Sequence, residues 1–183
     1  LEFRRVLFRS TADVLTNGNV QSYVDFNAGL LYSGSTNGIN NFYFGTSMYH
    51  INRPRVSFKD QNWNLTGRIT IHAGGSFPMS ESMTLHTSAI QQFQNKATET
   101  VLGAALGIAA NSYAENPASF FIGSWMRVND AVIPYLGLEV GGLRIGATYD
   151  VNISKLKAAS SSRGGSEISI IYIKQPPDPK GIP

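Results

Sequence analysis

The stretch LRIGATYDVNIS, Leu143 to Ser154, sets Leu143, Ile145, Ala147, Tyr149, Val151 and Ile153 against Arg144, Gly146, Thr148, Asp150 and Asn152, one residue at a time. Side chains alternate across a strand, so the stretch predicts a β-strand with one apolar and one polar face. A sandwich would turn the apolar face inward, whereas a membrane barrel would turn it to lipid and keep the polar face in its lumen. From Gln21 on, nine segments of this kind are separated by turn residues, at roughly 21–33, 41–52, 65–75, 82–93, 98–110, 119–128, 131–140, 142–153 and 166–173. Most are ten residues or longer. A tilted membrane strand needs about 9 to 11 residues, while strands of soluble proteins centre on about 5 or 6. Length therefore favours a transmembrane antiparallel β-barrel.

Two segments test the pattern. Thr100 to Ala110, TVLGAALGIAA, contains a GxxxG pair and could be written as a helix, but it is too short to span a membrane as one. As a strand it puts Leu102, Ala104, Leu106 and Ile108 on one face and Gly103, Ala105, Gly107 and Ala109 on the other, where the small residues leave room for a neighbour. Pro134 cannot donate to a ladder, which calls for a bulge or a place near a strand end. If the last strand ends in the periplasm, the outer connections are 53–64, 94–97, 129–130 and 154–165, the inner ones are 34–40, 76–81, 111–118 and 141, and 174–183 is a periplasmic tail.

Composition agrees with a barrel. The 183 residues are 42% hydrophobic but only 15% charged, and no run approaches the length of an apolar membrane helix. The absence of cysteine removes disulfides and Cys-containing metal sites. The formal charge of +3 invites a nucleic-acid reading, yet LEFRRVLFRS at the start holds three of the fifteen Lys and Arg and one of the twelve Asp and Glu. Without it the balance is twelve against eleven, or +1. That decamer also back-translates to a common short-read library adapter, so Leu1 to Ser10 is read as a sequencing artefact outside the fold. The barrel then occupies 11–173, truncated at its N-terminus, and no nucleic-acid partner is expected.

Candidate chemistry is sparse. His86 and Ser88 stand two apart on one strand face, a spacing open to a membrane esterase, but no acid partner is identifiable. His72 beside Arg68 reads as a lumen network, His50 falls at the outer rim, and the three histidines have no metal-site spacing. We therefore expect no enzymatic activity, metal or cofactor. Asp25, Arg68, His72, Arg127, Glu139, Arg144, Asp150 and Glu167 fall on the presumed lumen face, with both signs mixed. A pore selective for one sign would show a one-sign ring, so mixed charges point to a salt-bridged interior or a seat for another chain. The stretch SKLKAASSSRGG, 154–165, is read as an outer loop whose Lys155, Lys157 and Arg163 are available to an acidic partner.

Several blocks carry a resemblance. SYVDFNAGLLYS (22–33), FYFGTSMYHINRPRVSF (42–58), NDAVIPYLGLEVGGLRIGATYDVNISKL (129–156) and SRGGSEISIIYI (162–173) resemble the C-terminal part of the PorP/SprF-type membrane proteins of the Bacteroidota type IX secretion system. The similarity runs from about residue 11 onward and is weakest around 95–117. It implies a barrel in outer-membrane lipid, without cofactor, that works with type IX secretion subunits and with secreted cargo or, in gliding-motility members, adhesins. The residues by themselves leave a porin or hydrophobic-solute channel open.

Overall fold

The structure is a computed structural model that describes residues 23–58, 61–110, 118–154 and 163–172. The decamer, Lys155, Lys157 and the 174–183 tail lie outside the described residues. Eleven strands follow in chain order: β1 (Ala28–Thr36), β2 (Asn40–Tyr49), β3 (Arg55–Phe58), β4 (Gln61–Asn64), β5 (Arg68–Pro78), β6 (Met83–Gln94), β7 (Ala97–Ala109), β8 (Ala118–Arg127), β9 (Ala131–Val140), β10 (Leu143–Asn152) and β11 (Arg163–Tyr172). Nine of them form one sheet in the order β1-β2-β5-β6-β7-β8-β9-β10-β11, and β3 with β4 forms a separate hairpin. Every pair in the large sheet is antiparallel, and each strand lies beside its neighbour in the chain apart from the interposed hairpin.

Turn chemistry sets this order. Gly141 and Gly142 both have positive φ, 56° and 83°, in a two-residue connection whose twist matches that of the flanking strands. Asn37, Asn95 and Asn129 take positive φ at three other hairpin ends, where asparagine tolerates the left-handed conformation best among ordinary residues. One end of the sheet carries the connections after β2, β6, β8 and β10, and there the β3–β4 hairpin projects. The other end carries the remaining connections and the end of β11.

The nine expected segments match the nine sheet strands, with boundaries moved by a few residues. Three differences have physical causes. The β3–β4 hairpin lies inside the 53–64 connection, which the sequence pattern read as loop because neither four-residue strand is long enough to show a period. The ladder of β1 begins only at Ala28, because positive φ at His50 and Arg53 kinks the partner chain. There side chains replace the ladder: Asn52 Nδ2 donates to Val24 O (2.7 Å), Asn52 Oδ1 accepts from Phe26 N (3.2 Å), and Asn27 Oδ1 accepts from His50 N (2.9 Å). Finally, β11 starts at Arg163 opposite Val151, so Arg163, Gly164 and Gly165 belong to a strand, not to the loop expected over 154–165. Gly164 permits this, since a Cβ there would run into Asp150.

Pro134 sits inside β9, and the ladder accommodates it. The β9–β10 register passes from Tyr135↔Thr148 directly to Val132↔Val151, skipping the Pro134–Tyr149 level, and β10 is irregular against β11 between Tyr149 and Val151. Thr100 to Ala109 lie in strand β7, so the segment is a strand and not a helix.

The two faces of the sheet differ sharply. On one lie Leu136 (61% exposed), Ile122, Ile145, Leu30 and Ile168 (75% exposed), with no layer packed over them among the described residues. On the other, Ala131 (0%), Ala105, Phe121, Trp125 and Tyr135 (5%) are buried although the sheet is a single layer. Side chains of one face can bury one another only if the sheet curls towards that side. No helix among the described residues is long and apolar enough to cross a membrane.

Candidate functional site: the polar concave face

Curling depends on where glycines lie. On the concave face Gly103 of β7 lies beside Trp125 of β8, where a Cβ would stand 2.7 Å from the indole Cγ. Trp125 can therefore lie across β7 and donate from Nε1 to Ser88 Oγ of β6 at 2.7 Å. Gly107 does the same two levels on, under Phe121 of β8, whose ring meets His86 of β6 at 5.8 Å between centroids. Tyr135 covers Gly137 and Gly146, and its ring meets Trp125 edge-on at 5.6 Å. Aromatic side chains laid over strand glycines stabilise a curved sheet and fix its register. The small face of β7 expected from the sequence is thus occupied by its neighbours.

The charged residues fall into separate groups. Arg127 at the end of β8 donates to Asp130 Oδ2 (2.8 Å) and Asp150 Oδ2 (3.0 Å), with Glu99 Oε2 at 3.9 Å. Asp130 also accepts, through its carbonyl, from Ile153 N (2.8 Å) and Ser154 N (3.1 Å), so the group ties the β8–β9 turn to the end of β10. Nearer the other end, Arg144 Nε donates to Glu139 Oε2 at 2.6 Å and its guanidinium lies 4.3 Å from the Phe121 ring centroid, so it spans the intervening β9 to reach β8. Asp25 pairs with His50 Nδ1 at 2.8 Å, ahead of β1 at the hairpin end.

The sequence-predicted face residues are thereby located. Arg68, His72, Arg127, Glu139, Arg144, Asp150 and Glu167 all share the concave face by register. Arg127 with Asp150 and Arg144 with Glu139 form ion pairs. His72 and Arg68 do not form the expected network: the His72 ring packs on Tyr43 (5.7 Å) while Arg68 lies over Tyr49 (4.3 Å). Both are drawn to aromatic neighbours on β2, and four residues of extended chain keep them too far apart to bond. Glu167, opposite Thr148 on edge strand β11, makes no ion pair among the described residues. Of the basic trio, Arg163 is a strand residue. Sequence reasoning missed Asp130, Glu99, Trp125, Phe121 and Tyr135; the inward parity of the last three in 119–128 and 131–140 was the available signal.

A single curled antiparallel sheet with an exposed aliphatic face and a polar, ion-paired concave face defines a membrane β-barrel wall. Residues 2–172 match the family of type IX secretion system membrane proteins PorP/SprF, and the chain belongs to that family. No match is found among curated proteins or among solved structures. The protein is thus an all-β membrane component of the type IX secretion system, with Leu136, Ile145 and their neighbours on its exposed aliphatic face.

Proposed function

We propose that the protein resides in the outer membrane and assists export or surface attachment of secreted proteins or adhesins, acting as a docking and scaffold component and not as an enzyme. Membership of the secretion family across 2–172 carries this reading. The polar face supports a non-catalytic role: Ser88 Oγ is taken up by Trp125, His86 is packed on Phe121, and no hydrogen bond joins His86 to Ser88 among the described residues. Ion pairs of both signs suit an interior that holds shape or seats a chain better than one that conducts ions of one sign. Deleting the gene and assaying secreted cargo and surface adhesin tests the reading. We expect the protein in the outer-membrane fraction and cargo retained in the deletion strain, restored by the wild type and by His86→Ala with Ser88→Ala. Normal secretion in the deletion strain, together with conductance of the purified protein, would instead favour a channel.

A further inference from the structure

The concave face is divided. On β7 to β10 its charged groups are spent on one another, as described for Arg127 and Arg144. On β1, β2 and β5 four polar groups are not: Ser33, Asn41, Tyr43 and Ser76 have no side-chain hydrogen-bond partner among the described residues. These four line one half-open cavity of about 430 Å³, together with His86 and the hydrogen-bonded Ser88 and Trp125. That volume lies within the range of small-molecule sites, about 300 to 1,000 Å³.

We propose that this cavity is a binding site for a neutral polyhydroxylated ligand, a saccharide of one or two rings. Three features select that chemistry. No Asp, Glu, Lys or Arg lines the cavity, so nothing there balances an ionic ligand. Its unspent groups are hydroxyls and an amide, which donate and accept as a polyol does. Tyr43 lies across Gly74, where a Cβ would stand 2.5 Å from its hydroxyl oxygen, and lines the cavity with an aromatic ring of the kind that packs on the apolar side of a sugar. A polypeptide is the weaker fit across the cavity floor, because β2, β5 and β6 are each paired on both sides at this level and only the outer edge of β1 remains open to a strand. The inference is independent of the secretion role.

The chain has two tryptophans, Trp63 and Trp125, so Trp63→Phe leaves the cavity wall as the sole indole reporter. The purified protein in nanodiscs is titrated with maltose, N-acetylglucosamine, glucuronate and the peptide Asn-Ser-Gly, following Trp125 emission and, in parallel, equilibrium dialysis of labelled ligand. A neutral saccharide should bind saturably and glucuronate more weakly. Ser76→Leu, which fills the cavity, should abolish binding, and Tyr43→Phe, which removes one hydrogen-bonding group, should weaken it about tenfold. Folding of each variant is checked by heat-modifiable mobility; should Ser76→Leu fail to fold, Tyr43→Phe decides. The proposal is overturned if neither saccharide binds by dialysis at millimolar concentration, if the folded variants bind like the parent, or if the peptide binds and the saccharides do not.

Discussion

At the scale of single residues, what holds the concave face together is a small number of polar contacts that bridge strands. Arg127 is the hub: its side chain is 15% exposed, and three carboxylates from β7, the β8–β9 turn and β10 converge on it. Arg127→Ala would leave those carboxylates crowded without their cation. Removing one partner of a fully buried pair costs more, but the carboxylates here are partly solvated, so we expect a loss of about 2 kcal/mol. Asp150→Asn keeps the Asp130 contact and should cost less than about 1 kcal/mol. Denaturant midpoints of the protein refolded in detergent measure both. An unchanged midpoint in Arg127→Ala would show the cluster to be incidental. Little of this hub was visible in the sequence, because apart from the local Arg127–Asp130 contact, Glu99 and Asp150 reach Arg127 only through the register of β7, β8, β9 and β10.

At the scale of elements, the strands carry a two-residue period that the sequence displays openly, and their faces follow from it. In β9 the odd positions Ala131, Ile133, Tyr135, Gly137 and Glu139 are the more buried ones and the even positions Pro134, Leu136, Leu138 and Val140 the exposed ones. Placing a cation on the lipid side near mid-membrane costs about 2–4 kcal/mol. Leu136→Arg should therefore destabilise the folded protein by that amount, whereas Thr148→Asn on the concave face of β10 should stay within about 0.5 kcal/mol. Equilibrium unfolding into detergent-free urea from lipid vesicles distinguishes them, and equal tolerance of both would mean that the faces are reversed. The same alternation could not reveal β3 and β4, since four residues hold only two periods, nor the early start of β11, where glycines replace the pattern.

At the scale of the molecule, the described sheet is open, with β1 and β11 as its two edges. Nine strands in strict antiparallel alternation leave those edges pointing the same way, so the described strands do not close on themselves with antiparallel pairing throughout. We predict that Leu30→Cys with Thr46→Cys, a paired level of β1 and β2, forms a disulfide in the folded protein, while Leu30→Cys with Ile170→Cys does not. The chain has no native cysteine to confuse the result. A β1–β11 disulfide on non-reducing gels would show that the wall closes through a parallel seam.

The sequence by itself determined that the chain is a succession of two-faced strands, how many enter the large sheet, and which residues share the polar face. Those properties are local, because side-chain direction repeats every two residues and turn residues declare themselves by type. Only the tertiary structure decided which residues touch across strands. Trp125 reaches Ser88 by passing over Gly103 of β7, and Arg144 reaches Phe121 across β9, contacts set by register and curvature that no periodicity encodes. The division of the concave face into an ion-paired half and a half with unspent hydroxyls arises in the same way, since whether Ser76 or Asp150 finds a partner depends on what the curled neighbours bring to its level.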